Sequence, residues 1–189
     1  MKRNGVYSGS AFVENNTIYY FYTGNVKLTD RNGYDYIHEG REQNTICCKS
    51  EDGFSIDKKE LIMSNKHYPS NISKHVRDPK IIKKDENYYL ILGARTNDNQ
   101  GCVLLYKSQD LKNFEYFNTI TTPKRFGYMW ECPDLFELDD YLFLVVCPQG
   151  VKQSHFNYEN IYPLWTRSYD YKSIWCDKRK AIKIFIKES

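Results

Sequence analysis

Two carboxylates, which stand in matching segments of successive repeats, are the side chains of this sequence best suited to chemistry. Asp78 stands in the segment Arg77-Asp-Pro79, and Glu131 stands in Glu131-Cys-Pro133. Paired carboxylates carry out glycoside hydrolysis, in which one protonates the leaving oxygen and the other attacks or stabilises the oxocarbenium-like transition state. The sequence therefore predicts an acid-base site built from these two side chains.

The neighbours of the two carboxylates predict two different pKa values. A guanidinium from Arg77 beside Asp78 would keep that acid ionised. The apolar neighbours of Glu131, which are Trp130 and Cys132, would raise its pKa so that it stays a proton donor near neutrality. The same spacing fits a structural alternative, in which Arg77 and Asp78 form an ion pair and Glu131 caps a turn. Both interpretations stay open at this stage.

Three aromatic residues near the same positions are candidates for contact with sugar rings. Tyr7, Tyr128 and Trp130 each stand next to one of the polar segments. Aromatic rings bury a large apolar area and offer flat faces, but single aromatics at strand ends also occur in ordinary cores. Sugar stacking and core packing are therefore both compatible with the sequence.

Short aromatic and β-branched runs predict that the polar segments lie on strands. The runs at 17–23, 88–92, 102–106 and 141–146 are closed by Gly, Asn, Asp or Pro. Apolar runs of about four to eight residues fit buried strands better than helices, which need about ten or more. The sequence therefore predicts the all-β fold class.

A repeat predicts how these strands are arranged. The segment Lys49-Ser-Glu-Asp-Gly-Phe54 returns as Lys107-Ser-Gln-Asp110, an offset of 58 residues. Each copy follows a hairpin, which gives the four strands of a propeller blade. We expect blades at about residues 5–63 and 76–122 and the opening half of another at about 128–147. A partial β-propeller would bring its three polar segments together at one mouth.

The expected ring is incomplete, because a closed propeller needs at least four blades. About two and a half blades leave strand edges and apolar faces without a neighbouring sheet. We therefore expect this chain to bind a partner chain or to self-associate through its open propeller edges.

Composition and charge exclude several other classes of function. The chain has 189 residues and a net charge of +3, and its basic excess lies in residues 166–189. Scattered lysines and arginines do not form a nucleic-acid face. The sequence shows neither a long apolar span nor an N-terminal apolar run, so we expect no membrane contact and a cytoplasmic location. Its cysteines and histidines show no metal-ligand spacing, so we expect no metal and no cofactor.

Three segments in order resemble signature segments of glycoside hydrolase family 32, the β-fructosidases. The segments are Tyr7-Ser-Gly-Ser-Ala11, Arg77-Asp-Pro79 and Tyr128-Met-Trp-Glu-Cys-Pro-Asp134, and the resemblance covers roughly residues 4 to 155. It implies a five-bladed β-propeller that hydrolyses terminal β-fructofuranosides, such as sucrose or sucrose 6-phosphate, with retention.

The resemblance also implies a role for each matching residue. Glu131 would be the general acid/base, and Asp78 would stabilise the transition state and grip fructose hydroxyls. Arg77 would partner Asp78 and lie near Glu131. The remaining substrate-binding candidates are Tyr7 and Ser8, which would touch the fructosyl unit, Cys132 beside the acid, and Trp130.

Two departures from the family pattern limit what the resemblance implies. The nucleophilic aspartate of the family stands in an Asn-Asp-Pro-Asn-Gly type segment, which this sequence does not contain. The resemblance also fades near residue 160, so we expect a partial catalytic propeller at 1–160 and a divergent basic tail at 161–189. The sequence thus indicates a fragment with impaired hydrolysis. The alternatives are a sugar-binding propeller fragment without turnover and the translated remnant of a broken gene.

Overall fold

Three antiparallel sheets follow one another along the chain. The computed structural model describes residues 5–28, 40–138, 141–151 and 162–166, and among these it has no α-helix, only one 3₁₀ turn at Asn65–His67. The strands are β1 (Val6–Glu14), β2 (Thr17–Lys27), β3 (Arg41–Ser50), β4 (Glu60–Met63), β5 (Ile72–Lys84), β6 (Asn87–Thr96), β7 (Gly101–Ser108), β8 (Glu115–Ile120), β9 (Met129–Leu138), β10 (Tyr141–Gln149) and β11 (Tyr162–Thr166).

The sheets are arranged as neighbouring blades of a propeller. Their strand orders are β1-β2-β3-β4, β5-β6-β7-β8 and β9-β10-β11, and the innermost strand β5 contacts both β1 and β9. The predicted all-β class and partial propeller are confirmed. The third sheet differs from the prediction, because its strand β11 lies within the range 161–189 that the sequence assigned to a tail. The rest of that range falls outside the described residues.

The repeated Lys-Ser-x-Asp segment closes the third strand of each of the first two sheets. The Asp52 carboxylate accepts backbone N–H groups of Phe54 and Ser55 at 2.8 and 2.7 Å. The Asp110 carboxylate accepts those of Lys112 and Asn113 at 2.9 and 2.8 Å. These bonds lower the pKa of both aspartates, because they stabilise the charged form. The repeat is therefore a pair of local aspartate-closed turns.

The middle sheet is buried on both faces. Along β6, Leu90 and Leu92 pack into the core shared with the first sheet, whereas Tyr89 and Ile91 pack into the core shared with the third. Successive side chains of a strand point to opposite faces, so a strand between two sheets needs a continuous apolar run. The run at 88–92 has this form, and it fixes the middle sheet between its neighbours.

Each innermost strand carries one extra residue at the same place. The pairing slips by one residue after Tyr7–Thr23, after Arg77–Gly93 and after Glu131–Cys147. Such a bulge bends the strand and redirects its side chains. Tyr7, Arg77 and Glu131 are therefore equivalent residues of three successive sheets.

Candidate active site

The three equivalent residues line one cavity of about 700 Å³. Tyr7, Arg77 and Glu131 reach it from β1, β5 and β9, and the other lining residues are His75, Arg95, Tyr128 and Gln149. This volume is in the range of small-molecule sites, about 300–1,000 Å³. The polar segments of the three repeats thus converge at one mouth, as the repeat predicts.

Glu131 is held from both sides by donor groups. The Arg77 atoms Nε and Nη2 lie 2.9 and 2.8 Å from Glu131 Oε1, and Gln149 Nε2 donates to Oε2 at 2.7 Å. The Glu131 side chain keeps 29% of its surface exposed, whereas that of Arg77 keeps 7%. The carboxyl group is therefore fixed in orientation and open to a ligand.

This ion pair corrects the electrostatic expectation drawn from the sequence. Arg77 pairs with Glu131, so the structural alternative of an Arg77–Asp78 ion pair is wrong. The reason is the bulge after Arg77, which places its guanidinium next to the neighbouring sheet instead of beside its own chain neighbour. The expected closeness of Arg77 to Glu131 is confirmed.

Asp78 joins the three sheets at the edge of the site. Its Oδ2 accepts the backbone N–H of Cys132 at 2.9 Å and lies 3.6 Å from the Cys132 thiol sulfur. Its own N–H donates to Thr23 Oγ1 at 2.8 Å, and that hydroxyl donates to the Ser8 carbonyl at 3.3 Å. Asp78 therefore links β5 to β9 through its carboxylate, and to β2 and β1 through its backbone N–H and Thr23.

Burial raises the pKa of Asp78, which is the reverse of the sequence expectation. Only 6% of the residue is exposed, and loss of hydration is the main cause of the shift. The Cys132 N–H and the Arg77 charge oppose the shift, and the Glu131 charge adds to it. The two carboxylates therefore interact electrostatically.

A buried polar layer behind Arg77 orients its guanidinium. The Arg77 Nη1 atom lies 3.3 Å from Gln43 Oε1 and 3.2 Å from His75 Nδ1. Arg41 Nη1 lies 3.3 Å from the same His75 nitrogen. Because a guanidinium only donates, His75 Nδ1 accepts from both arginines. The sequence singled out neither His75 nor Gln43, although His75 stands two residues before Arg77 on the same strand.

The remaining candidates occupy different surroundings. Tyr7 and Tyr128 line the cavity, whereas Ser8 is exposed and contributes its carbonyl to Thr23. Cys132 contacts Asp78 through its N–H and thiol. Trp130 is fully buried in the core between the second and third sheets, so the predicted sugar contact of Trp130 is wrong.

The described residues contain neither a candidate metal site nor a candidate membrane-spanning helix. None of their His, Cys, Asp and Glu side chains form a group of three or more that could hold a metal ion. No helix in this part of the chain is long and apolar enough to cross a membrane.

Curated proteins similar to this chain are sucrose-6-phosphate hydrolases and an invertase. The chain is 37% identical to the Bacillus subtilis sucrose-6-phosphate hydrolase over 165 residues, which is 85% of this chain and 32% of that protein. It is 40% identical to the Staphylococcus xylosus sucrose-6-phosphate hydrolase over 84% of this chain and 31% of that protein. A raffinose invertase of Escherichia coli is 30% identical. The chain thus spans about a third of the length of these relatives.

Solved structures of similar enzymes match the fold of this chain. A mutant Bombyx mori family 32 beta-fructofuranosidase, in complex with sucrose, matches with a TM-score of 0.75 and 30% identity over 94% of this chain and 36% of that chain. The sucrose-6-phosphate hydrolase of Lactobacillus gasseri matches with a TM-score of 0.73 and 28% identity over 87% of this chain and 33% of that chain.

A family model assigns the chain to a family. The model described as "Glycosyl hydrolases family 32 N-terminal domain" matches residues 1–183. This range contains all three sheets, including strand β11, which lies within the range 161–189 that the sequence predicts as a tail. The chain therefore belongs to glycosyl hydrolase family 32, within the N-terminal domain of that family.

Proposed function

We propose that this chain forms part of a β-fructofuranosidase site that cleaves terminal fructosyl linkages in sucrose or sucrose 6-phosphate. The observation that carries the proposal is the cavity in which Tyr7, Arg77 and Glu131 meet from three successive sheets, with Asp78 beside them. Family membership and the printed activities of the relatives agree with this assignment.

Glu131 is the general acid/base of the proposed reaction. It is the only carboxylate among the described residues that line the cavity, and its side chain is open to a ligand. Cleavage requires a proton on the glycosidic oxygen as the C–O bond breaks, which a positioned carboxylic acid supplies. Arg77 and Gln149 hold the group so that its free surface faces the substrate.

Asp78 stabilises the oxocarbenium-like transition state in this proposal. Its carboxylate is poorly hydrated, and an ion in low-dielectric surroundings interacts strongly with a positive charge that develops nearby. The Cys132 N–H occupies Oδ2. Hydrogen bonds from fructose hydroxyls to this carboxylate would replace the hydration that burial removes.

The covalent step has no assigned nucleophile among the described residues. Retaining glycosidases need a second carboxylate about 5–5.5 Å from the acid/base on the other side of the bond. Because Glu131 is the only carboxylate on the described cavity wall, we expect slow hydrolysis by the 189-residue chain. The same observation favours sugar binding without turnover as the second candidate function.

An external nucleophile tests the role of Glu131. Azide is small enough to attack the anomeric carbon while Glu131 protonates the departing glucose oxygen. We expect azide to accelerate sucrose cleavage by the chain and to yield fructosyl azide, measured by glucose release and mass spectrometry. Glu131→Gln should slow this reaction about a hundredfold or more, because general acid catalysis contributes about 10²–10⁴.

Glu137→Gln is the matched control, since Glu137 lies on the same strand and pairs with Lys84 outside the cavity. It should leave the azide reaction unchanged. Equal rates for Glu131→Gln and the parent chain would contradict the assigned role. Sucrose binding without any azide-dependent cleavage would favour the second candidate.

A further inference from the structure

The shared bulge allows the three sheets to be compared position by position. On the second strands β2, β6 and β10, the residues paired at the bulge are Thr23, Gly93 and Cys147. Counting back from these residues gives equivalent positions in each sheet. Successive side chains of a strand point to opposite faces, so equivalent positions also lie on equivalent faces.

One face of the first sheet is open where the equivalent faces of the other sheets are buried. Leu92 and Val146, one position before the paired residue, are fully buried against the preceding sheet. Their equivalent in the first sheet, Tyr22, lines a surface groove of about 510 Å³ together with Tyr20 and the exposed Ala11. We call this the front face of the first sheet, and no other sheet among the described residues packs against it.

One face of the third sheet is open in the opposite direction. Phe21 and Ile91, two positions before the paired residue, are buried against the following sheet. Their equivalent in the third sheet, Val145, is only half-buried. On the same face Phe136 stacks on Phe143, with ring centres 5.5 Å apart, and keeps 41% of its surface exposed. We call this surface, which includes Val145 and Phe136, the back face of the third sheet.

We propose that the front face of the first sheet binds the back face of the third sheet in a second copy of this chain. A back face already packs on the next front face twice within the chain, between the first and second sheets and between the second and third. Each chain therefore presents one open face of each kind, and a second copy offers the matching partner for both. Burial of their apolar and aromatic side chains would drive the association.

This contact joins two different surfaces, so it is a head-to-tail contact. Such a contact either closes into a ring or continues into an open series of copies. In both cases, a chain with a blocked front face can still offer its back face to another chain. This property distinguishes the proposed contact from a symmetric dimer in which two front faces meet.

Sedimentation velocity of the 189-residue chain across the micromolar range tests the contact. We expect dimers, or larger species that grow with concentration. Ala11→Glu places a carboxylate in the front face, and Phe136→Glu places one in the back face. Each should weaken association about tenfold or more, because burying an unpaired charge costs at least that factor. Both positions are exposed in the single chain, so thermal melts should show that each variant folds.

Gln109→Glu is the matched control. It adds the same charge at an exposed position in the turn of the second sheet, where the equivalent turn of the first sheet has Glu51. This variant should associate as the parent chain does. An equimolar mixture of Ala11→Glu and Phe136→Glu, with one of them fluorescently labelled, should form one-to-one dimers. The intact back face of the first variant can bind the intact front face of the second.

Three results would overturn the proposal. The first is a parent chain that folds but stays monomeric across the concentration range. The second is association that Ala11→Glu weakens and Phe136→Glu does not, which would show that two front faces meet. The third is a mixture of the two variants that stays monomeric. The proposed function is tested separately, because neither Ala11 nor Phe136 lines the cavity that contains Glu131.

Discussion

Asp78 combines a strained backbone conformation with an environment that disfavours its ionised state. Its φ of 59° lies in the left-handed region, which non-glycine residues visit at a cost of about 1–3 kcal/mol. The residue is buried, and burial raises its pKa. Such strained and poorly hydrated groups concentrate at functional sites. There the surrounding fold holds them in a conformation and environment suited to binding a ligand.

Asp78→Asn should therefore increase stability near neutral pH. The folded pKa of Asp78 is raised above the unfolded value of 3.8, so ionisation opposes folding as the pH rises through that value and reaches its full effect above the folded pKa. An asparagine carries no charge and can still accept the Cys132 N–H through its Oδ1. Thermal melts at pH 4 and pH 8 should show a larger gain at pH 8, with about 2–4 °C for each kcal/mol gained.

Asp134→Asn is the control for that comparison. Asp134 keeps 46% of its side-chain surface exposed, lies on β9 near the same bulge and pairs with Lys80 at 3.2 Å. An exposed ion pair contributes little to stability, so its loss should give no gain at pH 8. A lower melting temperature for Asp78→Asn than for the parent chain at pH 8 would refute the account of Asp78.

The sequence was informative about residue types and less so about side-chain directions. It predicted Glu131, Asp78 and Arg77 as one group, because the repeat places the two segments that carry them at matching positions. It predicted Arg77 both as the partner of Asp78 and close to Glu131, and the ion pair forms with Glu131. The bulge after Arg77 changes the alternation of side chains and leaves no simple sequence period. It missed Arg95 and Gln149, which come from second strands and reach the cavity only through sheet pairing.

Close packing between elements is what brings the second and third sheets together. A Cβ added to Gly93 on β6 would lie 2.3 Å from the Trp130 carbonyl oxygen on β9. A Cβ at Gly101 on β7 would lie 2.2 Å from the Trp130 ring. The two glycines therefore make room for the buried Trp130, and this explains why that residue serves the core and not the cavity.

Gly93→Ala should destabilise the chain by about 1–3 kcal/mol, the usual cost of overpacking a close contact. The added methyl group meets backbone atoms, which cannot rotate away. Gly24→Ala is the matched control within a strand, because its nearest contact is the Ile46 side chain at 3.1 Å. Denaturant unfolding measures both, and a Gly93→Ala cost no larger than that of Gly24→Ala would show that β6 and β9 are not packed this closely.

The element order was largely predictable from sequence, because hairpins and aspartate-closed turns form from local bonds. Asp52 and Asp110 illustrate this, since each bonds only to residues within three positions. Strand β11 was not predicted, because the chain between 152 and 161 breaks the repeat and the strand is defined by pairing with the distant β10. Local patterns thus identify blades better than they identify where a blade ends.

At the scale of the whole molecule, the first sheet carries exposed apolar surface. Large exposed hydrophobic side chains on or near it are Val6, Val13, Phe54, Ile56 and Leu61. Exposed apolar patches on sheets commonly mark contacts with another chain. The expected partner chain or self-association therefore stays a prediction. Association through the open sheet edges would not change the convergence of β1, β5 and β9 at one cavity, which is the central claim.

Sucrose titration of the 189-residue chain and Asp78→Asn, by calorimetry, tests this convergence most directly, with Asp134→Asn as control. If three sheets form one sugar site, the parent chain and the control should bind one sucrose per chain with equal affinity. Asp78→Asn should melt at least as high as the parent but bind about tenfold or more weakly, because a buried carboxylate is a stronger acceptor than an amide. Equal sucrose affinity for Asp78→Asn, or no saturable binding by a folded parent chain, would contradict the account.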